Sequence, residues 1–341
     1  MLAKRSSSRW QPGLTAVAIA LAVALSFGAS FAPPADAAGG SKGKKVLYLE
    51  TFATVDYVAA VVRAFRARAE SYGMEVTTLA SGPDAALQAQ QVDNGIARKF
   101  DAIAIQSLSE QGIVPSLVRA KQAGVPVILS NNPIKEGSED LYLSFVGQDQ
   151  FEMGRIAGKS ILEALKESGR DGGKIAAITG ALQQGIGPRR LVGIREALKA
   201  HSKVEIVAVE DAAWATAPAE RIAGQLYARF AASGGLDVVY GMADNLSVAA
   251  IKAAQAAGIP VGTGPKQMIV IGGNCLKEGL DAIRTGLQYS TILQSPTDVG
   301  KGAADVINEY FDGKAVPKQS LLPIELITKA NVDKWDAACT F

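Results

Sequence analysis

Asn131 and Asn132 follow one apolar run (VPVILSNNP), and Asn274 follows another (MIVIGGN) at the matching place in the second half of the chain. An asparagine amide donates and accepts, so two or three such groups can bracket adjacent hydroxyls. Asn132, before Pro133, fits a turn equally well. Trp214 sits in a polar, alanine-rich loop (DAAWATAP) at a strand's carboxyl end, where packing does not demand a large ring. It offers a face to apolar C–H groups, or else covers an adjacent helix. Tyr57, one residue into its helix, serves either as a second ring or as core. Arg189 and Arg190 stand at an expected helix start, where the dipole disfavours cations. Two cations in that position point to a role beyond helix formation, either gripping ligand oxygens bidentately or bridging to the other half. Gln106 and Asp244, after corresponding strands, complete the candidates. Together these groups would recognise a neutral, hydroxyl-rich small molecule.

Reactive chemistry has little to work with, and no catalytic residue is assigned. The loop GALQQGIG (180–187) follows a strand but lacks the Lys-Ser/Thr of a phosphate-binding P-loop and is not GxGxxG, so it reads as a flexible ligand loop. The single histidine, His201, lies near Lys199 and Lys203 and reads as a solvated helix end. One histidine and two cysteines disfavour a metal site of the usual imidazole or thiolate kind. The Gly-x-Ser-x-Gly run at 39–43 stands ahead of the first expected strand rather than between a strand and a helix, so it makes no nucleophile elbow. No cofactor is expected.

The elements that must position these groups begin after a leader. Lys4, Arg5 and Arg9, the apolar run 14–27 and the A-x-A at 35–37 read as a secretory signal peptide over residues 1–37. Three basic residues and one acidic residue fall within it, so the remainder, with the rest of 35 Lys and Arg and 33 Asp and Glu, is formally neutral. That balance gives no reason to expect nucleic acid as a partner. About 300 residues remain, enough for two domains with their own cores.

Hydrophobic patterning predicts strands at 45–50, 75–79, 102–106, 125–129 and 141–146, with helices at 84–98, 111–123 and after the loop 51–56. Asp149 and Glu152 then form a capping box opening a helix at the pivot SFVGQDQFEMGRIAGKSI (144–161), where Asp149 reads as a cap rather than a ligand. The order repeats: strands at 174–179, 204–209, 236–240 and 268–271, with helices at 189–200, 217–232 and 246–257. LDVVYG echoes FDAIAIQ, AIKAAQAAGIPV echoes LVRAKQAGVPV, and MIVIGGN echoes PVILSNN. The expected fold class is α/β: two doubly wound parallel-sheet lobes whose strand-end loops enclose a ligand. Segments 289–293 and 322–327 read as strands that carry the chain across twice more, making a three-crossing hinge. The expected lobes are 45–148 plus 295–325 and 149–294 plus 326–341.

On these motifs the chain resembles the periplasmic sugar-binding proteins of ABC importers, of the ribose-binding type, with a type I periplasmic binding fold. The resemblance rests on Gly147-Gln148-Asp149 with Gly154-Arg155-Ile156-Ala157-Gly158, on Arg189-Arg190-x-x-Gly193, and on Thr291-Ile292-Leu293-Gln294-Ser295-Pro296. It implies stacking aromatics at Tyr57 and Trp214 and a hinge glutamine at Gln294. The chain departs where sugar binders usually carry aspartates, having Asn131 and Asn274, and where they carry an arginine, having Asn132. Ala243 replaces an asparagine.

The resemblance also implies a periplasmic monomer that captures a sugar or polyol and delivers it to a permease in the inner membrane. The alternative is a sensory protein presenting a sugar-like signal to a chemoreceptor or sensor kinase. Export places Cys275 and Cys339 in an oxidising compartment, where they either pair or remain as two thiols.

Overall fold

The computed structural model describes residues 40–341; the signal peptide expected over residues 1–37 lies outside the described residues. Twelve strands and ten α-helices are described. In the first half, β1 (Lys45–Glu50), β2 (Glu75–Ala80), β3 (Ala102–Ile105), β4 (Val127–Ser130) and β5 (Ser144–Gly147) alternate with α1 (Asp56–Ser71), α2 (Ala85–Ala97) and α3 (Val114–Gln122). The second half opens with α4 (Gln150–Glu167). It continues through β6 (Gly173–Thr179), α5 (Ile186–Leu198), β7 (Val204–Asp211), α6 (Thr216–Ala231), β8 (Val238–Gly241), α7 (Asp244–Ala256), β9 (Ile269–Ile271), α8 (Lys277–Thr285) and β10 (Ser290–Ile292). The last part holds α9 (Pro296–Phe311), β11 (Gln319–Leu321), β12 (Leu326–Thr328) and α10 (Asp336–Cys339).

The strands form two six-stranded sheets, ordered β11-β5-β4-β3-β1-β2 and β12-β10-β9-β8-β6-β7. Position by position, each strand of one sheet has a counterpart in the other. Pairing is parallel except at β10–β12, which is antiparallel. Both faces of the sheets are covered, as continuously apolar strands require. In β1, Val46 and Tyr48 enter one core cluster, while Leu47 and Leu49 enter another on the opposite face.

The chain passes between the sheets three times: from β5 to α4, from β10 to α9, and from β11 to β12. These crossings are tied together, since Leu322 N donates to Gly147 O (3.0 Å) and Leu293 N donates to Glu325 O (2.8 Å). Three short parallel connections at one edge form a hinge that can rotate without refolding either lobe.

Local chemistry explains most boundaries. Asp84 caps α2, its carboxylate accepting from Ala86 N and Leu87 N (both 2.9 Å), and Asp149 caps α4 by accepting from Glu152 N (3.1 Å). Glu152 completes no capping box; its carboxylate turns to Arg155 instead. Four expectations shift. Helix α5 begins at Ile186, so Arg189 and Arg190 lie inside its first turns rather than at its start. Helix α7 begins at Asp244. The expected strand over 322–327 is mostly the crossing itself, between β11, which ends at Leu321, and β12, which starts at Leu326. Helices α8 and α9 were not legible from the pattern, although α9 opens with Ser295 as N-cap and Pro296 as its first residue.

Helices α4 and α5 cross with their backbones in contact. A Cβ on Gly154 would lie 2.0 Å from Arg190 O, and one on Gly193 would lie 2.1 Å from Phe151 O. This close approach sets the depth at which Arg190 enters the second lobe. Gly154→Ala should therefore force the helices apart and lower unfolding free energy by about 1–3 kcal/mol. Urea denaturation of the variant measures this, and an unchanged midpoint would show that the crossing has room to spare.

Candidate functional site

A cavity of about 510 Å³ lies between the two sheets at the carboxyl ends of their strands. Its walls come from both lobes: Tyr57, Gln106, Asn131 and Asn132 from the first, and Arg190, Trp214 and Asn274 from the second, with Gln294 at the hinge. Eight of the ten candidate positions thus share one cavity.

Asn131 and Asn274 follow β4 and β9, counterparts in the two sheets, and both have left-handed backbone (φ 65° and 73°). Asparagine tolerates that conformation better than most residues, so the same residue makes the turn and presents an amide to the cavity. The turn reading and the contact reading are compatible at these two sites.

Arg190 organises the polar wall. It is 1 % exposed, and none of its hydrogen-bond partners is a carboxylate. Its Nε donates to Gln150 Oε1 (2.8 Å), one terminal nitrogen donates to Met242 O and Asn274 Oδ1 (both 2.9 Å), and the other to Gln294 Oε1 (2.8 Å) and Met153 Sδ (3.5 Å). The five N–H groups of the guanidinium thus all have protein acceptors. Arg190 is placed to orient amides rather than to donate to a ligand itself. Burial pulls its pKa down from the ordinary arginine range.

Because arginine only donates, Gln294 must turn its oxygen toward it. The orientation then propagates: Gln294 Nε2 donates to Asn131 Oδ1 (2.7 Å), Asn131 Nδ2 to Asn132 Oδ1 (2.8 Å), and Asn132 Nδ2 to Ser107 O (2.8 Å). Tyr57 Oη also donates to Asn131 Oδ1 (3.2 Å). One directed chain of amides therefore runs from the second lobe, through the hinge, into the first.

Gln106 stands apart from this chain. It is 1 % exposed and lines the cavity, yet neither its Oε1 nor its Nε2 has a protein hydrogen-bond partner. A buried amide left this way costs free energy that a bound hydroxyl pair would recover.

Trp214 is held in a strained backbone. It and Ala213 have φ of 64° and 49°, outside the regions an ordinary residue prefers. The surroundings hold the conformation. Trp214 Nε1 donates to Gln184 Oε1 (2.6 Å), Asn245 Nδ2 donates to Trp214 O (2.9 Å), and Ala213 N donates to Asp211 Oδ1 (2.7 Å). The indole lies on Gly180, where a Cβ would come within 1.8 Å of Trp214 Cε2. Strain maintained this firmly is a mark of functional sites.

Two candidates do not reach the cavity. Arg189 bridges the lobes, donating to Glu110 Oε2 (3.2 Å) and Ile134 O (2.9 Å) of the first lobe; beside it Glu110 N donates to Gln183 O (3.0 Å). Asp244 lies beneath the cavity wall, fully buried, and accepts from Leu276 N, Gln288 Nε2 and Thr291 Oγ1 (2.7, 2.7 and 2.8 Å). Burial raises its pKa to about 7, against the lowering effect of these three donors.

Several lining residues escaped the sequence reading. Gln184 sits in the loop 180–187, which was legible as a ligand loop but not residue by residue. Asn245 enters because α7 starts two residues earlier than its apolar pattern does. Phe52, Glu278 and Phe341 also line the cavity, and Phe341 gave no local signal at all. Cys275 and Cys339 are joined by a disulfide, their Cα atoms 5.1 Å apart. Among the described residues no cluster of His, Cys, Asp and Glu is arranged to hold a metal, and no helix is long and apolar enough to cross a membrane.

Two α/β lobes, a three-strand hinge and a cavity walled from both sides define a two-lobed binding protein. The chain matches the periplasmic binding protein domain family over residues 49–315 and belongs to it. It is 28 % identical to a putative rhizopine-binding protein of Rhizobium meliloti over 258 residues, covering 74 % of this chain and 79 % of the relative. It is 24 % identical to the D-allose-binding periplasmic protein of Escherichia coli, covering 76 % and 82 %. A solved ABC transporter solute-binding protein from Bacillus halodurans, with bound myo-inositol, has the same fold, with a TM-score of 0.77 at 23 % identity over 87 % of this chain and 99 % of that one.

Two consequences are measurable. Arg190→Met fills similar space but leaves the acceptors of Gln150, Asn274, Gln294 and Met242 without their donor, so stability should fall by about 2 kcal/mol or more; denaturant titration with no loss would show the amide chain to be self-sufficient. Asp244 is protonated in both folded and unfolded chains below its ordinary pKa of 3.8, and only in the folded chain between 3.8 and about 7. Its contribution to stability is therefore complete at low pH and lost as pH rises to about 7. The stability difference between wild type and Asp244→Asn should shift against wild type by about 1 kcal/mol or more from pH 4 to 7. A pH-independent difference would place the carboxyl's titration elsewhere.

Proposed function

We propose that this protein is an exported receptor that closes its two lobes on a neutral, hydroxyl-rich ligand, a sugar or polyol, and delivers it to an ABC permease. Gln106 carries the reading. An amide with one donor and one acceptor group, buried and unpartnered at a cavity wall, matches two neighbouring hydroxyls and matches an ion of either sign poorly. Trp214 and Tyr57 add rings for the apolar C–H faces of such a molecule. D-allose, in the name of one relative above, and myo-inositol, bound in the solved structure, are ligands of this kind.

In this reading residues 1–37 direct export to the periplasm and are removed, and the protein acts as a monomer without cofactor or catalysis. The moving bodies are 45–148 with 295–325 and 149–294 with 326–341, since each segment lies in or against one sheet. Arg189 and Glu110 pair across the two lobes. Ligand contacts to both lobes favour the closed form by differential affinity.

A thermal-shift screen of sugars, polyols, nucleosides and amino acids tests the class, because a ligand raises apparent stability by mass action. A shift with charged ligands alone would refute it. With the best ligand, Gln106→Leu should weaken binding by roughly 10- to 100-fold. The same change should leave the unliganded melting temperature unchanged or higher, because a buried unpartnered amide is gone. Trp214→Ala should also abolish binding without unfolding the protein. A Gln106→Leu variant that loses stability yet binds normally would make that residue structural.

A further inference from the structure

The segment that follows β12 does not stay with one lobe. Val332, Cys339 and the partly buried Trp335 and Ala338 pack with Cys275, Leu280, Ile283 and Leu293 into a small core of their own on the second lobe. Beyond Cys339 the chain leaves that core. Thr340 and Phe341 line the ligand cavity, and the Phe341 ring packs against the first lobe's core cluster, meeting Tyr57 edge-on at 6.4 Å between centroids and an interplanar angle of 81°. The disulfide thus anchors, one residue beyond Asn274, a strap whose end lies on the opposite lobe.

Nothing else in the segment fixes it as firmly. Helix α10 has four residues, too few to be stable alone. The ion pairs from Arg284 to Asp333 and Asp336 are exposed on the acidic side (87 % and 58 %) and contribute little. The covalent bond is what holds Phe341 at the cavity.

We propose that Phe341 is a specificity-determining residue of the ligand site, held in place by the Cys275–Cys339 disulfide. With Tyr57 it forms an aromatic corner opposed by Trp214 from the other lobe, and this corner fits the C–H face of a compact monocyclic sugar or cyclitol. A glycoside or disaccharide would have to displace the strap. The inference rests on the reading of the cavity as a sugar or polyol site and adds the selection for size.

The test uses the full mature chain with D-ribose, D-allose, myo-inositol and xylitol as compact probes, and methyl and phenyl glycosides and sucrose as larger ones, by calorimetry. Phe341→Ala, with the disulfide intact, should weaken the best compact probe roughly tenfold and admit at least one larger probe that wild type rejects. Cleavage of the disulfide by a dithiol, which supplies two electrons and two protons as it closes to its own cyclic disulfide and so leaves two thiols on the protein, should reproduce that profile. It should have no added effect on Phe341→Ala. Both cysteines are almost fully buried, so the double variant Cys275→Ser, Cys339→Ser serves if reduction is incomplete, with circular dichroism to establish its fold. Wild-type affinity and selectivity in Phe341→Ala would overturn the proposal even if sugars bind. Failure of wild type to bind any probe in the panel would instead overturn the sugar or polyol reading, and the size selection with it.

Discussion

A guanidinium buried without a counter-charge governs the polar interior of this protein. Arg190 can only donate, so every acceptor around it must face inward, and each amide that does so must turn its donor outward. Gln294, Asn131 and Asn132 follow in sequence until the last donor ends on a backbone carbonyl. A neutral group at position 190 would leave each amide free to flip. The cation imposes one polarity on the wall of the cavity, and does so through the hinge, where the lobes meet. Its desolvation is the cost of that order, offset by a complete set of acceptors.

The duplicated architecture explains why such a relay can span two lobes. In each lobe the loop after the fourth strand carries an asparagine with left-handed backbone, and the two asparagines face a shared space because the lobes present the same edge to one another. Asn131 receives the relay and Asn274 receives Arg190 directly. What differs between the lobes is then informative. Gln106, directly after the third strand of the first sheet, has no counterpart of its kind after β8, where Met242 stands; Asn245 nearby instead braces Trp214. The first lobe supplies an unpartnered amide, and the second a ring held under strain. The cleft is chemically asymmetric although its frame is nearly symmetric.

Around this centre the two lobes are held together at three places of different kind. The hinge strands hydrogen-bond to one another, Arg189 pairs with Glu110 across the lobes, and the disulfide-anchored strap reaches from the second lobe to Tyr57 of the first. Only the strap is covalently fixed at one end, so it moves with the second lobe while its aromatic contact belongs to the first. The cavity is lined from both lobes, so its volume is a property of their arrangement rather than of either lobe alone.

Much of the fold was legible in the sequence because its information is local. Continuous apolar strands, glycines closing helices, and Asp84 and Asp149 as caps act within a few residues, and the repeat of LDVVYG on FDAIAIQ identifies the duplication without any knowledge of contacts. The residues most strongly marked, Asn131, Asn274, Trp214 and Gln294, do share the cavity. Tertiary structure alone decided the rest. That Arg190 points inward while its neighbour Arg189 bridges outward depends on a one-residue rotation about α5 and on the close crossing at Gly154 and Gly193. That Asp244 supports the wall from behind, while Asn245 lines it, depends on where α7 begins. That Phe341 joins a site built from residues far earlier in the chain depends on a bond between Cys275 and Cys339, 64 residues apart. Periodicity records which side of an element is apolar; only packing fixes which polar groups end up facing one another.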